Sequence, residues 1–390
     1  MTAPGTARPP KPRAGRLRRA AFNLAALGAA IVVALLLAEV AVRIVAPQQL
    51  IIVRPDIWAP ADSLGWVNKA DVNTTINTGE RTVHLYTDAQ GMRVGASGRH
   101  DAPTRVLIIG DSFMEALQVE YEQSFAGLLE AGLAARLKRP VSVWDAGVDG
   151  WDPPQYLIRT RQLLNREHFD EVIVAIYLGN DIVKKRRDYL PPRAPAVAHG
   201  VRLPRSLHWG EFVDAVLYPL NDLLKRHSQL FNLLKNRLQT LRQRAGVTAD
   251  YFPTELRRSE AQAPRWAIAG EICAEIAQAA GGHRVPALFL LIPSPFEVDS
   301  LDLRAFMRGF HIDPATVDVD QPTRLVEASL RGHGLAVLPL LADFRDVQKG
   351  GVKLYGSVDR HLTPAGNREL ERVVEPAAAE RLGGPRPPQP

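Results

Sequence analysis

The stretch Val106-Leu107-Ile108-Ile109-Gly110-Asp111-Ser112-Phe113 decides how this chain is read. Four aliphatic residues in succession leave no polar face, which suits a strand buried on both sides of a parallel sheet. Gly110 and Asp111 then punctuate the run as turn residues. Ser112 therefore follows the carboxyl end of a strand, the edge of an open parallel sheet where ligands bind.

Working toward the C-terminus, apolar strands alternate with helices. Ser124 is placed to cap a helix carrying Phe125, Leu128, Leu129, Leu133 and Leu137 on one face. Strands follow at 141–144 and 172–177, separated by a helix over 155–166 after Pro153-Pro154. Beyond an interruption come a helix (266–280), a strand (287–292), a helix (323–332), a strand (336–340) and a helix (364–375). This pattern predicts an α/β fold, a three-layer α/β/α flavodoxin-like parallel sheet covered on both faces.

Working toward the N-terminus, residues 47–104 read as a stalk and a strand-rich lead-in, with alternation at Thr82-Val83-His84-Leu85-Tyr86. Before them, 20–38 carries no charge, and about 19 residues at 1.5 Å each nearly match a bilayer's hydrocarbon core. Arg8, Lys11, Arg13, Arg16, Arg18 and Arg19 precede it with no acid. The positive-inside rule predicts a cytoplasmic tail over 1–19, a transmembrane helix over 20–46 in contact with the lipid bilayer, and the remainder outside the cytoplasm. The expected location is the inner (plasma) membrane, single-pass, with the body periplasmic in a Gram-negative cell. The competing cleaved signal peptide wants a shorter apolar core and a small-x-small site. Glu39 and Arg43 sit at i,i+4 near the far interface.

The formal net charge is +6, from 48 basic and 42 acidic residues, and the six cations of the N-terminal tail account for all of it. No broad basic field remains to hold a phosphate backbone, so no nucleic-acid partner is expected. The one cysteine, Cys273, lies in an apolar helical run and reads as a buried thiol. Residues 183–262 form a helical insertion with 15 Lys/Arg and 7 Asp/Glu. Phe212, Val216, Leu220, Leu223 and Leu224, then Leu230, Leu234, Leu238 and Leu241, recur at helical spacing. Ser228 is placed to cap the second helix, and Pro219 to kink or start the first. Packing on the domain, an active-site lid and a basic surface on anionic lipid all fit this segment. Residues 381–390 read as a Pro-rich tail.

Three polar motifs join Ser112 at strand ends: Asp145-Ala146-Gly147-Val148-Asp149-Gly150, Gly179-Asn180-Asp181 and Asp359-Arg360-His361. Each alone reads as a turn or a structural histidine. A serine nucleophile, however, needs a base, an orienting carboxylate and oxyanion donors, and together the motifs supply candidates for each. Ser112 does not sit in Gly-x-Ser-x-Gly, and no Gly-x-Gly-x-x-Gly or Walker A run is present, so no cofactor is expected. Asp-x-His lacks a second ligand pair, so no metal is expected.

Taken in order, these motifs resemble those of the SGNH (GDSL-like) hydrolase family, over residues 105–375 apart from the insertion. The expected domain is 105–380. The resemblance implies an ester hydrolase with Ser112 as nucleophile, His361 as base and Asp359 as triad carboxylate. It further implies an oxyanion hole made of the backbone N–H groups of Ser112 and Gly150 and the Asn180 amide. The second motif opens with Asp145 where the family often has Asn, which places Gly147 behind Gly150 as a donor. The last motif is Asp-x-His where Asp-x-x-His is common, a spacing shared by some carbohydrate-acting branches. With the anchor, the chain looks like a membrane-bound bacterial branch acting on acyl groups of envelope carbohydrate. The expected partner is thus an acyl-ester substrate, a glycan O-acetyl ester. An O-acyltransferase using the same acyl-enzyme, and a non-catalytic envelope assembly protein, stay open beside the hydrolase.

Overall fold

The computed structural model describes residues 14–46, 56–78, 81–98, 100–182, 223–224, 227–244, 253–258, 263–309, 311–356 and 360–383. In chain order the strands are β1 (Trp58–Ala61), β2 (Gly65–Asn68), β3 (Asn73–Asn77), β4 (Thr82–Thr87), β5 (Arg93–Val94), β6 (Thr104–Ile109), β7 (Val141–Asp145), β8 (Glu171–Tyr177), β9 (Ala287–Ile292) and β10 (Ala336–Pro339). The helices are α1 (Ala14–Val45), α2 (Ser112–Glu115), α3 (Phe125–Leu137), α4 (Pro153–Leu164), α5 (Gln229–Arg244), α6 (Ala263–Gly282), α7 (Pro295–Val298), α8 (Ser300–Gly309), α9 (Gln321–Gly332), α10 (Leu341–Lys349) and α11 (Pro364–Gly383).

Eight strands form one sheet in the order β10-β9-β8-β6-β7-β5-β4-β3. Every pairing from β10 to β7 is parallel. Numbered along the chain, these five strands run 2-1-3-4-5, the flavodoxin-like order. The chain thus has the expected α/β architecture. Alternate residues of the central strands enter opposite cores, because side chains alternate across a sheet. Leu107, Ile109, Val172, Val174, Ile176, Phe289 and Leu291 face one core with Tyr156, Cys273 and Val326. Val106, Ile108, Ile173, Ala175, Leu288 and Leu290 face the other with Phe125, Leu129, Phe344 and Leu370. Helices α4, α6 and α9 cover the first face, and α3, α10 and α11 the second.

The N-terminal side of the sheet departs from the parallel pattern. β3, β4 and β5 add to it antiparallel, with Arg93 of β5 opposite Asp145 of β7. β1 and β2 form a separate hairpin. β3, β4 and β5 are thus part of the sheet, while β1 and β2 stand apart from it.

Within α1, residues Ala21–Val45 form a helix long and apolar enough to cross a membrane, with mean hydropathy 2.5 and none of it buried. Glu39 and Arg43 do pair, at 2.8 Å. Helix α5 carries the predicted Leu230–Leu241 repeat, and the Ser228 hydroxyl caps it by accepting from Phe231 N at 3.0 Å. The expected first helix of the insertion, with Pro219, lies outside the described residues except for Leu223 and Leu224, as do the cytoplasmic tail before Ala14 and the Pro-rich end after Gly383. The Cys273 thiol is fully buried, and burial raises its pKa.

Candidate active site

Ser112 stands three residues past the end of β6, at the switch point of the sheet, where β6 has β7 on one side and β8 on the other. At such points the crossover connections diverge to opposite faces and leave a crevice. The Asp111 side chain caps α2 by accepting from Phe113 N at 2.9 Å, which fixes the turn that presents the serine. His361 arrives from the far end of the chain, on the loop before α11. Its Nε2 lies 2.8 Å from Ser112 Oγ, a distance suited to proton transfer. The imidazole leans on Phe113, ring centroids 5.0 Å apart, and Phe113 stacks on Tyr177 at 3.9 Å. The base is thereby held by aromatic packing as well as by its hydrogen bond.

The remaining predicted residues lie around this pair, with one outside the described residues. Gly150 has φ +75°, a conformation that glycine adopts without strain. Its loop is clamped by the β1–β2 hairpin. Trp66 Nε1 donates to the Asp149 carbonyl at 2.8 Å, and Trp151 Nε1 donates to the Trp66 carbonyl at 3.0 Å. Gly147 instead turns its N–H onto Asp145 Oδ1 at 3.0 Å, so it is engaged away from the serine. A Cβ on Gly147 would lie 2.5 Å from Glu115 N and 2.6 Å from Met114 Cβ, which is why the loop can pass this close to α2. Asn180 donates one amide N–H to Asp111 Oδ2 at 3.3 Å, which ties the third motif to the nucleophile turn. Asp181 is buried and accepts from Tyr177 N and Tyr156 Oη, both at 2.9 Å, so it braces the turn. Asp359 lies outside the described residues.

Two residues to which the sequence reading gave no role belong to the site. The carboxyl of Asp149 lies close enough to the Ser112 hydroxyl, the Gly150 N–H and His361 for each to pull its pKa down. It thus occupies the ground where two proposed oxyanion donors converge. Burial raises its pKa, against the pull of His361 and these donors. The second is Arg93, fully buried, whose guanidinium donates to the carbonyls of Glu115, Ala116 and Val119 just after the nucleophile. The first two of these carbonyls lie at the end of α2, which closes on a left-handed Ala116 (φ +49°). No periodicity marks either residue. Arg93 in particular reads as a lone surface cation in a turn-rich stretch.

The ground beneath the serine is acidic. Burial pushes Asp111 up to about 7 and Asp145 to about 7. Glu115 is pushed up to about 8, by burial and then by the charge of Asp149, although Trp58 Nε1 (3.0 Å) and Asp149 N (2.7 Å) donate to it. Among the described residues no group of three or more His, Cys, Asp or Glu has metal-ligand geometry.

Beside the histidine loop opens a polar cavity of about 260 Å³, with Asp299, Asp302, Gln348, Lys353, Tyr355 and Arg360 among its lining. Arg360 pairs with Asp302 at 3.3 Å and lies over the Phe296 ring. The Gly356 N–H donates to the His361 carbonyl at 2.8 Å, so the cavity wall and the base share one loop.

No protein-family model matches the chain, and no curated protein matches it. Solved structures do. A member of the lipolytic protein G-D-S-L family from Veillonella parvula is 9% identical, with 70% of this chain and 96% of that chain covered and a TM-score of 0.36. TesA is 16% identical, with coverage of 71% and 99% and a TM-score of 0.37. A catalytic mutant of an acetylxylan esterase from Geobacillus stearothermophilus is 12% identical, with coverage of 76% and 99% and a TM-score of 0.38. All three are remote from this chain in sequence.

Proposed function

We propose that this chain is a membrane-anchored, extracytoplasmic serine esterase that removes small acyl groups, O-acetyl above all, from a hydroxyl-rich substrate such as an envelope glycan. The observation that carries the reading is the 2.8 Å contact between His361 Nε2 and Ser112 Oγ at the switch point of a parallel sheet. His361 takes the hydroxyl proton as Ser112 Oγ attacks the ester carbonyl. The Ser112 and Gly150 N–H groups and the second N–H of the Asn180 amide receive the oxyanion. His361 then protonates the leaving alcohol, and water, deprotonated by the same imidazole, releases the acyl group. Asp359 is assigned the orienting role at the imidazole. The Asp149 carboxyl moves aside or is protonated when the oxyanion forms, since two negative charges in one pocket repel.

The cavity beside the histidine loop supports a glycan as the alcohol. Its acids, amide and cations can hydrogen-bond hydroxyls, and their mixed signs favour a neutral polyol over a highly charged one. The apolar, unburied α1 and the basic residues before it support the anchor and its orientation. The test is fluorophosphonate labelling together with acetate release from p-nitrophenyl acetate and from acetylated oligosaccharides. Wild type should label and hydrolyse. Ser112→Ala should do neither while remaining folded, and labelling that persists would assign the chemistry to another serine.

A further inference from the structure

We infer that α5 is an interfacial helix, laid with its leucine face in the headgroup–acyl boundary of the membrane that α1 crosses. The inference rests on the anchoring role of α1 and adds a second, in-plane contact to it. The starting point is Glu39. Its carboxylate accepts from the Ser228 hydroxyl (2.8 Å) and from the backbone N–H groups of Gln229 (2.9 Å) and Leu230 (2.9 Å). Arg43 donates to the same carboxylate at 2.8 Å and to the His227 carbonyl at 2.8 Å. The first turn of α5 is therefore capped by a side chain of α1 (an acid at a helix N-terminus, where the dipole favours it).

This clamp fixes a depth. Glu39 lies six residues before Val45, the end of the apolar span, or about 9 Å along a helix. A hydrogen-bonded acid–base pair is tolerated there and is costly at the bilayer centre. The start of α5 is therefore held at the depth, about 5–10 Å into the boundary, at which amphipathic helices lie.

The remainder of α5 has the chemistry of such a helix. Leu234, Leu238 and Leu241 share one face at i, i+4 and i+7, and they are 59%, 51% and 61% exposed. Between Gln229 and Arg244 the charged residues are Lys235, Arg237, Arg242 and Arg244, with no acid. Long cationic side chains beside an apolar stripe reach back to lipid phosphates while their stems stay in the boundary. An apolar stripe joined to a membrane span, with only positive charge around it, fits an anionic bilayer better than an acid-bearing protein surface.

Depth-dependent quenching tests this on the full chain. Single cysteines are placed at 234, 238, 34 and 331 and labelled under native conditions with a nitrobenzoxadiazole maleimide. Cys273 is fully buried, and the unsubstituted chain gives the background. The labelled chains are reconstituted in phosphatidylcholine–phosphatidylglycerol vesicles, with or without nitroxide on the acyl chains. Expected is at least about twofold quenching at 34, 234 and 238, and none at 331, an exposed position of α9. Quenching at 34 with none at 234 and 238 would overturn the interfacial helix and leave the anchor standing. A blue-shifted but unquenched label at 234 and 238 would likewise overturn it, since protein then covers the face. No quenching at 34 would instead remove the anchor on which the inference rests.

Discussion

Replacing His361 with alanine removes the group whose Nε2 stands 2.8 Å from Ser112 Oγ. What remains near the hydroxyl, among the described residues, is the carboxyl of Asp149. A carboxylate is ordinarily about two to three pKa units weaker as a base than an imidazole. Burial narrows that gap without closing it, and Asp149 is not placed to hand a proton on to a leaving alcohol. Members of a catalytic unit fail together, so kcat should fall by at least about 10³-fold, or about 4 kcal/mol of transition-state stabilisation. The imidazole is only part-buried and leans on Phe113, so its loss should leave the fold intact. The assay is steady-state hydrolysis of p-nitrophenyl acetate, with circular dichroism melts run alongside. A folded His361→Ala chain that keeps its rate within tenfold of wild type would refute the reasoning, because some other base would then be activating the serine.

Asp149→Asn should hold activity up at alkaline pH, where ionised Asp149 competes with the oxyanion, and should move the acid limb to lower pH, because His361 loses the negative charge that favours its protonated form. An alkaline limb identical in both chains would remove Asp149 from the oxyanion ground. Thermal stability should fall between about pH 5 and pH 9, because burial pushes Asp111, Asp145, Glu171, Glu255 and Glu297 up to about 7 and Glu115 to about 8. An acid with a raised folded pKa favours the folded state most below its unfolded pKa, and that advantage is lost as pH rises through the folded value. A Tm that is level or rising over this range would contradict the expectation. Gly147→Ala should cost about 1–3 kcal/mol by pressing on Glu115 N and Met114 and should lower fluorophosphonate labelling. Unchanged melting and labelling would show that the loop yields freely.

The parallel core was legible because its strands are apolar on both faces, from Val106 to Ile109 and from Val172 to Ile176. The antiparallel addition was legible only at β4, in the alternation over Thr82–Tyr86. β3 offers Asn73-Thr74-Thr75 to its pairing, and β5 is two residues long, too short for any period to show. The last helix was read as ending at Glu375 because Pro376 follows. It continues to Gly383, since burying Ala378, Ala379 and Leu382 outweighs one lost backbone bond. At the site, Ser112, Gly150 and Asn180 stand out because each follows a strand, and His361 because it closes a recognisable order; its motif was expected at a strand end, but α10 lies between β10 and it. The position of Asp149 against the serine depends on how the β1–β2 hairpin holds its loop, and tryptophans at 58, 66 and 151 give no local hint of that.

Arg93 also sets a timetable. Its strand, β5, is synthesised before β7, yet its register partner is Asp145, about fifty residues later, or roughly 3–10 s at the usual rates of chain elongation. The carbonyls of Glu115, Ala116 and Val119 that its guanidinium takes are made sooner, within 26 residues, but until β7 follows the β5 edge has no neighbour on that side. The nucleophile turn is therefore among the later parts of this protein to mature. It sets only when a charge made early is enclosed by a strand made late, so newly made chains should acquire activity with a lag.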